Sequence, residues 1–294
     1  MSWRTVCITK RAKLEYRMGA MVVRGEDTVR VHLSEMAVLI VESTAVSITT
    51  SLLLELAKAK IKVIFCDDQH NPYGELITHR DSHNSSETIR NQIIWTPEIK
   101  DYVWMLIIRE KIKLQAQHLE IANREEWVIL ESYLHQVLPA DPSNREGHAA
   151  KVYFNALFGK DFSRDRDCTI NAGLNYGYGL VLSSVNKAVT AAGRLTQIGI
   201  WHDNMYNAFN FSCDLMEPFR PFVDIYVRKV LNNQMDFNAE VKHQMLLFLE
   251  TNVLFEGQKQ KVGNAIRMYV TRVIQLLDEN KKDKLPDLAL CTDL

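Results

Sequence analysis

Hydrophobic periodicity changes once along this chain, and that change limits the possible folds more than any other feature. Up to about residue 75 the apolar residues come in short runs. Trp3–Ile8, Leu14–Met18 and Met21–Val23 read as brief strands. Thr28–Leu33 alternates Val29, Val31 and Leu33 with polar neighbours, the period of two that marks a half-buried strand. Ala37–Val41 is a continuous apolar run, suited to a strand covered on both faces. Gly19 and Gly25 stand where hairpin turns are needed. A helix is expected over Thr50–Lys60, because Leu52, Leu53, Leu56 and Ala59 form one stripe after a Thr/Ser start signal, and Val63–Cys66 reads as a further strand. His79–Glu87 is wholly polar and suits a linker. From Thr88 onward the stripes are helical: Ile99–Ala122, Glu125–Val137, Glu146–Leu157, Ile170–Ile198 and Phe222–Asn232. Pro139 and Pro142 break the pattern over Leu138–Asn144, and the charged segment after Asp278 reads as a frayed tail. The expected fold is α+β. A small N-terminal β-sandwich-like domain (1–78) and a linker (79–87) precede a larger all-α domain (88–280) and a tail (281–294).

Bulk composition removes several classes of function. A hydrophobic fraction of 47% and a charged fraction of 24% are those of an ordinary globular chain. The longest apolar run, Val103–Ile108, is far below the roughly 20 residues of a membrane span, and the first residues carry no signal-peptide pattern. Five scattered cysteines argue against both a disulfide framework and a thiolate zinc site, so a cytoplasmic location is expected. With 35 basic and 36 acidic residues, the net charge of −1 lends nothing to nucleic-acid binding. Any such surface requires segregated charge, for which Lys10, Arg11, Lys13, Lys151, Lys187 and Arg194 are unranked candidates.

No phosphate-cradling Gly-x-x-x-x-Gly-Lys-Ser/Thr loop, dinucleotide fingerprint, nucleophile elbow or zinc helix is present. Among the acids and histidines of the helical half, Glu146, His202, Asp214 and Glu217 are the candidates for chemistry. Carboxylates with one imidazole suit Mg²⁺ or Mn²⁺. Asp214 and Glu217 are three residues apart and would share a helix face. His202 is fifteen residues before Glu217. On one unbroken helix that is roughly 22 Å, so a shared site requires a break, and Ser212 is a plausible N-cap for the second helix.

Structural roles compete with each of these. Ser143-x-x-Glu146 is a capping-box pattern in which Glu146 only satisfies a backbone N–H. His202 after Ile200-Trp201 fits a buried, hydrogen-bonded histidine, and Asp214 and Glu217 near a helix start complement its dipole. His148, two residues after Glu146, points roughly 200° around the helix and away from it. His79, Asp81 and His83 read as solvated linker residues.

Four ordered segments carry a resemblance. They are Asn144-Arg-Glu-Gly-His-Ala-Ala-Lys-Val-Tyr-Phe-Asn-Ala-Leu-Phe-Gly159, Ile170-Asn-Ala-Gly-Leu-Asn-Tyr-Gly-Tyr178, Gln197-Ile-Gly-Ile-Trp-His202 and Asp214-Leu-Met-Glu-Pro-Phe-Arg-Pro221. Trp3-Arg-Thr5, His32-Leu-Ser-Glu35 and Val63-Ile-Phe-Cys-Asp-Asp68 agree with them. Together they resemble the integrase of CRISPR adaptation, the "Cas one" family, in its type II-A version. The resemblance implies that Glu146, His202 and Glu217 are catalytic metal ligands, with Glu where many relatives have Asp. Asp214 is implied as a further acid, and Asn175 and Tyr176 as residues lining the site. Arg220 is spaced to hold a phosphate. Also implied are a homodimer formed and docked through the N-terminal domain, DNA as substrate, and a small partner ("Cas two"). The type II-A version adds the ring-shaped adaptation protein and the large RNA-guided nuclease. The expected reaction is metal-dependent joining of the 3′-hydroxyl ends of captured DNA to the leader–repeat of a CRISPR array, with DNA endonuclease activity. A structure-selective DNA nuclease without integration, a non-catalytic DNA scaffold and a metal-dependent ribonuclease are the rivals.

Overall fold

The computed structural model describes residues 4–68, 70, 72–76, 85–231 and 236–291. The chain divides into two compact units, Met1–Arg80 and Asp81–Leu294. The linker expected over 79–87 lies outside the described residues up to 84, as do His79, Asp81 and His83, and its last residues already belong to a helix.

The first unit is built from strands β1 (Arg4–Ile8), β2 (Ala12–Arg17), β3 (Ala20–Arg24), β4 (Thr28–His32), β5 (Met36–Val41) and β6 (Val46–Ile48). Helix α1 (Thr50–Lys58) and strands β7 (Lys62–Cys66) and β8 (Pro72–Glu75) complete it. Two four-stranded sheets result, ordered β1-β5-β7-β8 and β4-β3-β2-β6. In the first sheet β5 runs parallel to both β1 and β7, and successive residues from Val38 to Val41 are buried, so both of its faces are covered, as its unbroken apolar run requires. In the second, β2, β3 and β4 form an antiparallel meander to which β6 adds parallel to β2, and the β2–β3 turn places Met18 and Gly19 at positive φ, the conformation a two-residue hairpin needs. One apolar cluster joins the sheets and α1: Ile8, Leu39 and Val63 meet Leu14, Met21 and Val31, with Leu52 and Leu56. α1 starts at Thr49, whose side chain accepts the Leu52 N–H at 3.4 Å.

The second unit is organised around one long helix. After α2 (Ser85–Ile93), α3 (Pro97–Ile121) begins with Thr96 as N-cap and Pro97 in the first turn. Val103, Ile107, Ile108, Ile112, Leu114 and Leu119 are all 0% exposed, so α3 is buried nearly all round. Against it pack α4 (Trp127–Leu134), α5 (Arg145–Phe158), α7 (Asn210–Met216), α8 (Arg220–Val230) and α10 (Val262–Glu279), while α6 (Thr169–Ala191) and α9 (Ala239–Leu246) pack on α8 and on each other. A 3₁₀ turn, Glu217–Phe219, joins α7 to α8. No helix among the described residues is long and apolar enough to cross a membrane.

Three expectations are corrected. The helix expected to reach Ile198 ends at Ala191, because Gly193 takes φ +71 and closes it. The Gly193 N–H donates to the Thr190 carbonyl and the Arg194 N–H to that of Val189, a Schellman ending. The helical domain is not all-α: β9 (Asn252–Phe255) and β10 (Gln258–Lys261) form a hairpin. The presumed frayed tail supplies β11 (Leu288–Ala289) to that hairpin's free edge, burying Leu285, Leu288 and Cys291; residues 292–294 lie outside the described ones. Apolar residues among the charges, rather than net charge, decided this.

A carboxylate and lysine cluster beside a fixed histidine

Glu146 enters the site from the first turn of α5, and the capping-box reading fails there. The N-cap is Asn144, at φ 49, whose side chain accepts the Gly147 N–H at 3.2 Å. Asp141 accepts the N–H groups of Arg145 and Glu146, both at 2.9 Å. With the helix start satisfied by others, the Glu146 carboxylate is free to turn to Lys111 on α3, whose Nζ lies 2.6 Å from its Oε1. The same Nζ lies 2.5 Å from Oε2 of Glu217. Oε1 of Glu217 forms an ion pair with Nε of Arg220 at 2.9 Å. Two carboxylates from different helices thus converge on one ammonium group.

His202 lies in the non-helical stretch that follows Gly193, so the break required between His202 and Glu217 is present. Asp214 holds that stretch from α7. Its carboxylate, 0% exposed, accepts the backbone N–H groups of Ile200 (2.6 Å), Trp201 (3.1 Å) and His202 (3.1 Å), and faces the His202 Nδ1 at 2.6 Å. Nδ1 therefore carries the proton, and Nε2 is the ring's remaining nitrogen. Trp104 packs edge-on against the His202 ring and stacks on Trp201. Gly199 is needed for this wrapping, since a Cβ there would lie 2.8 Å from Asp214 Oδ2 and 2.3 Å from the His202 carbonyl oxygen. Ser212 is not the cap expected: it is buried inside α7, which begins two residues earlier, where the Phe211 N–H already bonds the Thr196 carbonyl.

Electrostatics follow from these contacts. Burial alone would push the Lys111 ammonium down, but the Glu217 and Glu146 charges outweigh it and hold its pKa above the usual value. Burial would raise Glu217, yet Arg220 and Lys111 bring it below the usual carboxylate value. The hydrogen bond to Asp214 raises His202 against the effect of burial.

Behind the cluster runs a second polar network that the sequence reading missed. The Arg220 guanidinium lies over the Tyr178 ring, 4.8 Å from its centroid. Tyr178 donates to Asp224 Oδ1 (2.5 Å) and Tyr153 to Asp224 Oδ2 (2.9 Å). His118 Nδ1 lies 2.7 Å from the Tyr153 hydroxyl, and Arg228 donates to His118 Nε2 at 2.9 Å. Because Arg228 is donor only, Nδ1 carries the His118 proton. Burial raises Asp224 to about 6 and, with Arg228, lowers His118 to about 3.

The remaining site residues divide. Asn175 is exposed and accepts from Arg164 at 2.6 Å. Tyr176 turns away and packs edge-on against Phe237, so Tyr178, two residues on, is the tyrosine of this motif that adjoins Arg220. Arg194, a candidate for a charged surface, is 5% exposed and pairs with Asp278. His148 is exposed.

Whether the cluster fits a divalent cation is a question of donors and of room. The donors fit: two carboxylates share a single cation, and the neighbouring imidazole is oriented by a buried carboxylate, as metal-binding histidines usually are. Room is taken up by Lys111, and among the described residues no three His, Cys, Asp or Glu side chains are gathered tightly enough to hold a metal as they stand.

Comparison with known proteins adds an independent line. A sequence profile for "CRISPR associated protein Cas1" matches residues 6–252. The "CRISPR-associated endonuclease Cas1" of Neisseria meningitidis serogroup C (strain 8013) is 30% identical, over 98% of this chain and 97% of that one. Among solved structures, a "Casposase bound to integration product" superposes with a TM-score of 0.80 at 16% identity, over 96% of this chain and 92% of that one. A "Cas6-RT-Cas1--Cas2 complex" gives 0.74 at 14%, over 99% of this chain, which spans 36% of that one.

Proposed function

The chain belongs to the Cas1 family of CRISPR-associated proteins, and from that premise we propose that it is a metal-dependent DNA integrase of spacer acquisition. In this reading it joins the 3′-hydroxyl ends of captured DNA to the leader–repeat of a CRISPR array by transesterification, and the same site cleaves DNA when water is the nucleophile. One observation carries the proposal: Glu146 and Glu217, from separate helices, converge on a single cation beside a histidine fixed by a buried carboxylate.

Glu146, Glu217 and the Nε2 of His202 would hold Mg²⁺ or Mn²⁺, and a bound ion would polarise the scissile phosphate and stabilise charge developing on its oxygens. Asp214 orients His202 through Nδ1, fixing which nitrogen faces the site. Arg220, carried on the Tyr178 face next to Glu217, supplies a fixed positive charge for a phosphate oxygen. Transesterification exchanges one phosphodiester for another, so no nucleotide is consumed, in keeping with the missing phosphate-cradling loop.

Homodimerisation, with docking on the small "Cas two" partner, belongs to the same proposal; a relative of this fold is found in a complex with Cas2, and another is bound to an integration product. So does the type II-A assignment, with its ring-shaped adaptation protein and large nuclease, which rests on the four ordered segments taken together, with Glu at position 217 as a subtype variation.

The test offers a labelled duplex, with 3′-hydroxyl or 3′-deoxy ends, to a supercoiled plasmid bearing a leader–repeat, with the partner protein and Mn²⁺. Label joined to plasmid only from 3′-hydroxyl ends is expected. Cleavage of branched DNA with no joining would replace the integrase by a nuclease, and metal-independent binding alone would leave a scaffold.

A further inference from the structure

We infer that Lys111 is the resident countercation of the Glu146–Glu217 pair and that a divalent ion enters by displacing its ammonium group, so that Lys111 sets how tightly the site takes metal. The inference rests on the proposed metal reading of Glu146, Glu217 and His202.

The oxygens decide it. Both oxygens of Glu217 already face a cation, Oε2 the Lys111 ammonium at 2.5 Å and Oε1 the Arg220 guanidinium at 2.9 Å. Glu146 gives Oε1 to the same Nζ at 2.6 Å. Mg²⁺ draws its oxygen ligands to about 2.0–2.1 Å and demands near-octahedral directions. An ammonium between the two carboxylates occupies the position such an ion requires. One of the two cations must leave.

Lys111 is the one built to do so. Its charge is a compact point on a flexible four-carbon stem. The Arg220 guanidinium, by contrast, is planar and lies on the Tyr178 ring. Lys111 is also 6% exposed, where a charge is retained only when it is paired. It is therefore a positioning residue: it keeps two buried carboxylates together before metal arrives and competes with metal for the same oxygens. The signal is present in the sequence as helical spacing, since Lys111 falls three or four residues from Ile107, Ile108 and Leu114 and so on their apolar face.

Binding of Mn²⁺ to the full chain, followed through the paramagnetic resonance signal of the free ion, tests this. Lys111→Met keeps the length of the side chain and removes its charge, and should tighten the apparent affinity by about tenfold or more, as expected when a competitor covering most sites is removed. Lys111→Arg keeps the charge in a planar group that leaves less readily, and should bind no more tightly than wild type; tightening as large as that of Lys111→Met would overturn the inference. Affinity unchanged or weakened in Lys111→Met would overturn the inference. If that variant does not fold, acylation of Lys111 in wild type, followed by peptide mass spectrometry, should accelerate on adding Mn²⁺; an unchanged rate would overturn it equally. Wild type that takes up no Mn²⁺ would remove the metal reading itself. Binding lost in Glu146→Gln but indifferent to Lys111→Met would keep that reading and remove only the inference.

Discussion

Asp214 has no exposed surface, yet its two oxygens serve four donors, three from the backbone and one from His202. Such a carboxylate shapes a loop as much as it tunes an imidazole. Asp214→Asn would aim an amide N–H₂ at donors already in place, leaving at least one unsatisfied. It should cost about 1–3 kcal/mol of stability in a urea titration and weaken metal binding about 10- to 100-fold; a variant matching wild type in both would contradict the assigned role. His118 and Asp224 give a second residue-level test. His118 has a folded pKa of about 3 against its ordinary 6.5, so between those values the unfolded chain binds the extra proton and stability rises with pH. Asp224, at about 6 against its ordinary 3.8, binds its extra proton in the folded state, so its contribution falls as pH rises through that window. The two slopes oppose one another from about pH 4 to 6. His118→Phe leaves the Asp224 slope alone, and the variant should lose stability relative to wild type as pH rises from 4 to 6, by up to about 1.4 kcal/mol per pH unit. Parallel stability curves for the two proteins would refute the network. The four ordered motifs singled out the acids and the histidine, but spacing did not decide between cap and ligand at Glu146. That choice depends on Asp141 and Asn144 satisfying the helix start and on Lys111, 35 residues away.

Among the elements, α6 and α8 carry Tyr178 and Arg220, and their close approach depends on small residues. A Cβ at Gly177 would lie 2.4 Å from Val223 Cγ1 and 3.0 Å from Met245 Cε, and one at Gly173 would lie 3.1 Å from Val227 Cγ1. The contacts to Val223 and Val227 are to stiff β-branched side chains. Gly177→Ala should therefore destabilise the protein by about 1–3 kcal/mol from overpacking, offset in part by the roughly 1 kcal/mol helix preference of alanine. A higher melting temperature in Gly177→Ala would show that the helices have room to separate. Element types were readable because the apolar periods differ, and the start of α1 was readable from its Thr/Ser signal, whereas the cap of α5 was read at Ser143 and lies at Asn144. The end of α6 was passed over although Gly193 signals it, because the apolar residues continue to Ile198. The β9–β10 hairpin was missed because neither strand exceeds four residues, too short for alternation to stand out.

At the scale of the molecule, two units with cores of different kind make up the chain, one of sheets and one of helices around α3. The second is closed by its C-terminal segment. β11 pairs with β9, the Leu288 N–H donates to Glu110 on α3 at 2.8 Å, and Asp287 pairs with Lys113 at 2.7 Å. Ending the chain after Lys284 removes three buried apolar residues, of which a fully buried leucine contributes about 1.5–3 kcal/mol. A drop of several degrees in the unfolding midpoint is expected, at about 2–4 °C per kcal/mol. An unchanged midpoint would mean that the segment is carried rather than structural. The α+β layout followed from one change of periodicity, whereas the closing strand did not, because its partner lies 33 residues earlier, at Leu254 and Phe255.

The central claim is that Glu146 belongs to a metal site that transfers DNA strands, and joining of labelled DNA to a leader–repeat plasmid by wild type and Glu146→Gln, side by side in Mn²⁺, tests it most directly. Gln keeps the size of the side chain and removes the charge that faces Lys111. Joining by wild type alone, with the variant equally folded, is the predicted result. Equal joining by both would leave the chain in its family and remove Glu146, and the site built around it, from the chemistry.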